Sequence, residues 1–159
     1  ATPWHQDGQY WPIRPLATCT VWLAVDDSTP ENGCLKFIKG SHIDQKLKSH
    51  NENNSKNITL NQELANEEFD ETEAVNLVLD RGQISLHDVY LVHGSEANNS
   101  PKARRAITMR FMPTTSIFDH QLVKDKKMFS KLNANKYSDR KIYHMRGNDI
   151  SGKNNLTYI

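Results

Sequence analysis

At 159 residues the chain has the length of a single domain, with room for one buried core and none for two domains of ordinary size. Its 36% hydrophobic content and formal net charge of +1 exclude the highly charged, weakly hydrophobic regime of disordered chains. No run approaches the roughly 18 consecutive apolar residues of a membrane helix, and no secretion signal opens the chain, so a cytoplasmic protein with no membrane partner is expected.

The first residue is Ala1 rather than Met, and Trp4-His5-Gln6-Asp7 arrives before any element that could support it, so the chain reads as a piece of something longer. Apolar density falls in two blocks, residues 10–43 and 74–113. In the first, residues 17–25 are rich in β-branched side chains, and residues 34–38 alternate apolar with polar after an Asn32-Gly33 turn signal. Both read as strands. Residues 44–73 are a polar, Asn- and Glu-rich insert, with helix expected only at 62–69 and in parts of the C-terminal tail. Further strands are expected at 74–79, 83–86, 89–93 and 104–112. Short strands at this spacing point to a mainly β domain, a sandwich or a barrel. Cys19 and Cys34 lie in apolar runs of a chain too large to need a staple, and read as buried free thiols. Four Asn-x-Ser/Thr matches, at Asn53, Asn57, Asn98 and Asn155, are what chance supplies in so Asn-rich a chain.

Charge is uneven although it nearly cancels. Residues 61–73 hold six acids and no base, and residues 121–146 hold eight bases against two acids, with Phe129, Tyr137 and Tyr143 interleaved. Basic and aromatic side chains together can hold nucleic acid. No RNA- or DNA-binding signature accompanies them, so the stretch reads as a solvated tail facing an acidic loop, and nucleic acid is not an expected partner.

His5 and Asp7 are two residues apart, so on a strand both side chains point to one face and Gln6 turns away. His93 follows 86 residues after Asp7, at the end of an apolar strand that a folded sheet can bring beside them. Two imidazoles and one carboxylate on one face of a metal leave the other face open, as in non-haem Fe(II) oxygenases. Seven histidines offer competing sets, His87-Asp88 and His42 among them, so spacing alone does not select this one. An oxygenase that consumes a keto-acid also needs a planar cation to grip a carboxylate, which Arg does better than Lys. Arg104 lies 11 residues after His93, and Arg105, next to it, points to the opposite face. Strand parity decides between them, and the residues leave it open. Ser95, two residues after His93, carries a hydroxyl that could donate to the same carboxylate.

Three runs, W-H-Q-D-G-Q-Y-W-P-I-R-P, E-N-G-C-L-K-F-I-K-G-S-H and V-H-G-S-E-A-N-N-S-P-K-A-R-R-A-I-T-M-R-F, resemble in order the phytanoyl-CoA dioxygenase family of Fe(II)- and 2-oxoglutarate-dependent oxygenases. The resemblance covers residues 3–113 apart from the insert. It implies that His5, Asp7 and His93 bind iron, and that Arg104, rather than Arg105, holds the keto-acid with help from Ser95. Trp22 falls where relatives place a wall beside the keto-acid, and a core Trp is an equal reading. His42 reads as structural, and His87 as a neighbour that packs against the site or donates a hydrogen bond to it. Halogenating relatives resemble this pattern with Ala in place of the Asp, so Asp7 favours hydroxylation.

The implied fold is a double-stranded β-helix, a cupin-like jelly roll, lacking here its first core strand and N-terminal helices. Residues 1–113 would form its core, with the insert at about 44–73, and residues 114–159 a tail packing on or covering it. The implied reaction hydroxylates a small-molecule substrate, with an acyl-CoA or another anionic metabolite as candidates. It would consume 2-oxoglutarate and O2 at Fe(II) and release succinate and CO2. The rival readings are a nucleic-acid-repair oxygenase of the same type and a jelly-roll binding module without turnover.

Overall fold

The computed structural model describes residues 1–53, 55, 56, 58–124, 137 and 139–159. Asn57, Phe129 and the lysines Lys126, Lys127, Lys131 and Lys136 of the basic stretch lie outside these residues. The strands are, in order, β1 (Thr2–His5), β2 (Ile13–Arg14), β3 (Cys19–Ala24), β4 (Leu35–Ile38), β5 (His50–Glu52), β6 (Gln62–Leu64) and β7 (Ala74–Leu77). There follow β8 (Ile84–Asp88), β9 (His93–Ser95), β10 (Ala106–Phe111), β11 (Ile117–Phe118), β12 (Ile142–His144) and β13 (Leu156–Tyr158). The fold is mainly β, and among the described residues no helix is long and apolar enough to cross a membrane.

The chain divides into two compact units, one of Ala1–Gln9 with Cys19–Phe111 and the other of Tyr10–Thr18 with Met112–Ile159. Residues 10–18, grouped with the core from sequence, thus fall in the second unit. That unit pairs β2 with β11 antiparallel and β12 with β13 parallel, around a core of Trp11, Ile13, Phe118, Val123 and Tyr137.

The first unit carries an antiparallel sheet ordered β1-β9-β4-β7, a second ordered β10-β3-β8, and the hairpin β5-β6. Alternation along β3 buries Thr20, Trp22 and Ala24 and leaves Cys19 exposed. Trp22 and Ala24 pack with Leu35 of β4, Leu77 of β7 and Leu79, which makes the core between the two sheets. A second cluster of Ile38, Leu64 and Val92 lies beside it. Gly94 lets β1 approach β9 closely: a Cβ there would stand 3.1 Å from the Thr2 carbonyl oxygen.

Three local expectations are corrected. Residues 62–69 are no helix, because Gln62–Leu64 pairs with His50–Glu52 and only Asn66–Glu68 makes a 3-10 turn. Residues 89–92 are a turn rather than a strand: Asp88 accepts from the backbone N–H of Tyr90 at 2.8 Å and its carbonyl from that of Leu91 at 3.1 Å. The run is apolar because Val89 and Val92 are fully buried, not because it pairs. Both cysteines are free, but only Cys34 is buried, since Cys19 has the parity of the outer face of β3.

Candidate active site

Long-range strand pairing makes the first half of the site. His5 ends β1, His93 begins β9, and the two are register partners, so their rings lie side by side with centroids 4.2 Å apart. Asp7 joins them by a different route from the one expected. The strand stops at His5, and Asp7 opens the 3-10 turn Asp7–Tyr10, anchored by the Gly8 N–H donating to the Val89 carbonyl at 3.0 Å. A turn rather than strand parity therefore swings the carboxylate toward the imidazoles. The ligand atoms offered by His5, Asp7 and His93 all lie within 4.8 Å of one another, and all three residues are buried.

The protonation states suit a metal. His5 Nδ1 lies 2.9 Å from the Pro3 carbonyl oxygen and His93 Nδ1 lies 2.8 Å from that of Leu91. A carbonyl oxygen can only accept, so each Nδ1 donates to its carbonyl and each ring presents Nε2 to the other ligands. Burial first, then the neighbouring His5, pushes His93 down to about 3, which leaves it neutral. For Asp7, burial pushes the pKa up, but the contact with His5 and the positive charge of Arg110 outweigh it, and the carboxyl is held well below its ordinary range. Two imidazoles that present Nε2 and one ionised carboxylate are a donor set for a divalent transition metal, so the residues present fit an iron site.

Around Asp7 stand three groups. Thr20 Oγ1 donates to Oδ2 at 2.8 Å, His87 Nε2 lies 3.9 Å from Oδ2, and Arg110 Nη2 lies 3.5 Å from Oδ1. His87 also packs its ring 4.8 Å from that of His93, and burial lowers its pKa. Gln6, fully buried, faces away and donates to the Lys46 and Tyr90 carbonyls at 2.9 and 2.7 Å while accepting from the Lys48 N–H at 2.8 Å. It fastens the start of the polar insert to the His5-Asp7 motif.

The two arginines separate as parity requires. Arg104 turns inward, with Nη2 donating to Ser95 Oγ at 3.4 Å and its buried Nε lacking any partner among the described residues. Burial lowers its pKa. Arg105 turns outward and grips Asp26 through Nε and Nη2, each at 2.8 Å. Trp22 is 6% exposed and sits in the core cluster, across β3 from Ser85 of β8. His42, expected to be structural, lines with Ser85, His87 and His93 a cavity of about 280 Å³, and its Nδ1 and the Ser85 Oγ are buried without partners among the described residues. Thr20, Arg110 and Ser85 had no motif to mark them. Their one sequence signal is even spacing along the chain, Thr20 from Trp22, Arg110 from Arg104 and Ser85 from His87.

A two-histidine, one-carboxylate donor set beside a cavity on antiparallel β scaffolding defines the class of open-faced metal proteins. The particular family follows from comparison: residues 1–106 match phytanoyl-CoA dioxygenase (PhyH), and the chain belongs to that family. It is 34% identical over 110 residues to the phytanoyl-CoA dioxygenase domain-containing protein 1 homolog of Dictyostelium discoideum, covering 68% of this chain and 39% of that one. It is 32% identical over 112 residues to the peroxisomal phytanoyl-CoA dioxygenase of Homo sapiens, covering 69% of this chain and 32% of that one. The chain thus spans well under half the length of these relatives. Among solved structures, EvdO2 from Micromonospora carbonacea var. aurantiaca complexed with 2-oxoglutarate superposes with a TM-score of 0.60 at 29% identity, over 70% of this chain and 44% of that one.

Proposed function

We propose that this chain carries the catalytic core of an Fe(II)- and 2-oxoglutarate-dependent oxygenase that hydroxylates a small organic substrate, releasing succinate and CO2. The observation that carries the reading is the cross-strand His5–His93 pair with both Nδ1 atoms committed to carbonyls and Asp7 beside them. The two sheets of the first unit would belong to a double-stranded β-helix, as membership of the phytanoyl-CoA dioxygenase family implies.

His5 Nε2, His93 Nε2 and Asp7 would hold Fe(II), and Arg104 with Ser95 would hold the far carboxylate of 2-oxoglutarate. Iron, keto-acid and O2 together supply an oxidant strong enough to break a C–H bond, at the expense of decarboxylating the keto-acid. The chain's own part is placement and dielectric. The buried Nε of Arg104, without a partner among the described residues, would gain one from a bound carboxylate, and burial of the three ligands keeps bulk water from competing. Asp7 fills the third protein position, which favours hydroxylation over halogenation. The cavity beside His93 has apolar walls, Leu35, Leu77 and Leu91 among them, with Lys39 also lining it, which suits an organic substrate carrying negative charge.

Anaerobic addition of Fe(II) and 2-oxoglutarate tests the reading. A visible charge-transfer band is expected for the wild type, none for Asp7→Ala, and a weakened one for Arg104→Ala. A wild-type protein without the band would leave a non-catalytic binding module as the better account.

A further inference from the structure

The two oxygens of Asp7 are not equivalent. Thr20, 1% exposed, commits its hydroxyl to Oδ2 at 2.8 Å, whereas Oδ1 faces His5 Nε2 at 3.7 Å. Oδ1 is therefore the oxygen that faces the imidazole Nε2. It is also the oxygen that Arg110 approaches, at 3.5 Å. Register explains why. Arg110 of β10, Thr20 of β3 and His87 of β8 form one row across the inner face of the sheet, and the side chains of all three reach Asp7.

Resting on the metal-site reading above, we propose that Asp7 is pre-set to bind a metal through Oδ1 alone: Thr20 is the positioning residue that pins Oδ2, and Arg110 is a counter-cation at Oδ1 that must yield to the metal. The Arg110 contact has the character of a place-holder. At 3.5 Å it is longer than the roughly 2.7–2.9 Å of a locked charge-assisted hydrogen bond. Its side chain is 29% exposed against 5% for Asp7, so the guanidinium has solvent into which it can withdraw. A divalent cation at Oδ1 would meet a like charge there, in a site too buried for water to screen it fully. Thr20 acts in the opposite sense. Rotation of the carboxylate would cost the Thr20 hydrogen bond, so Oδ2 stays committed and Oδ1 is the oxygen left for a metal.

The two roles predict opposite signs for metal affinity. Co(II) alone is titrated into the metal-free protein and followed by calorimetry and by its visible d–d band, with thermal melting as a check that each variant is folded. Arg110→Gln should bind Co(II) about three- to tenfold more tightly than wild type, since a nearby like charge has gone, and Arg110→Lys should stay within about twofold. Thr20→Val should bind about tenfold or more weakly, and Thr20→Ser, which restores the hydroxyl, should return to near wild type. Equal or weaker binding by Arg110→Gln overturns the counter-cation role. Unchanged affinity in Thr20→Val, or no rescue by Thr20→Ser, overturns the pinning role. If the wild type takes up no Co(II), the metal-site reading itself fails and this proposal with it, an outcome distinct from either variant result.

Discussion

The inner and outer faces of the β10-β3-β8 sheet are built from alternate residues of the same strands, yet they invert the usual pattern. The inner face carries the rows Arg110, Thr20, His87 and Thr108, Trp22, Ser85. The outer face carries Met109, Val21, Leu86 and Ile107, Leu23, Ile84, with Phe111 beside Cys19. Polar groups thus face the candidate site, while Leu86 is 63% and Ile84 53% exposed. An ordinary half-buried sheet does the reverse. The difference teaches that hydrophobic patterning finds the strands but misassigns their faces wherever a site needs buried hydroxyls, imidazoles and guanidinium groups.

The largest expected break in this comparison is on the inner face. Trp22→Ala removes the biggest side chain of the core between the sheets and should destabilise the protein by about 3–5 kcal/mol in urea unfolding. The matching outer change, Leu86→Gln, should alter stability by no more than about 0.5 kcal/mol and should reduce binding of the apolar dye ANS. Similar losses from both substitutions would mean that the outer face is buried in solution. Next in size is Gln6→Ala. It leaves two carbonyls and one N–H of residues 46, 48 and 90 without their side-chain partner, and should cost about 2–4 kcal/mol. If Gln6 fastens the insert, protease cleavage within residues 44–50 should also accelerate in that variant, and an unchanged digestion pattern would contradict the fastening.

What could be read beforehand follows the same division between local and long-range causes. His5, Asp7 and His93 were legible as a donor set through the family resemblance, since residue type and spacing left His87-Asp88 and His42 as competitors, and the structure brings them together. The route was not legible. Parity on a single strand was the expected cause, but β1 ends at His5, and the 3-10 turn that redirects Asp7 depends on the Val89 carbonyl far along the chain. Arg104 and Arg105 were indistinguishable by residue type, and the choice rested on family resemblance. The structure separates them through Asp26, a partner remote in sequence. Thr20 and Arg110 were invisible because only the β3–β10 register makes them neighbours. Short strands such as Gln62–Leu64 escaped for a related reason: an Asn- and Glu-rich stretch has no apolar alternation, and its pairing with His50–Glu52 is set by the hairpin rather than by propensity.

The smallest effect sharpens the contrast between the two arginines. Arg105, on the solvent side, donates to Asp26 from its backbone N–H and its guanidinium, and these hydrogen bonds, with the charge of Arg105, hold the Asp26 carboxyl at about 2 against an ordinary 3.8. A carboxyl whose pKa is depressed by folding stabilises the folded state fully above its unfolded pKa, and that contribution disappears as pH falls through the folded one. Wild type should therefore exceed Asp26→Asn in urea midpoint at neutral pH by a small margin, as befits an exposed pair. The margin should shrink between about pH 4 and about pH 2, and should shrink with added salt at neutral pH. Arg104, turned inward, has no carboxylate partner in the described residues, so Arg104→Gln should show no such acid-dependent margin. A margin of the same shape in both variants would mean that Arg104 also rests on a protein carboxylate, and would remove the reason to assign its guanidinium to the keto-acid.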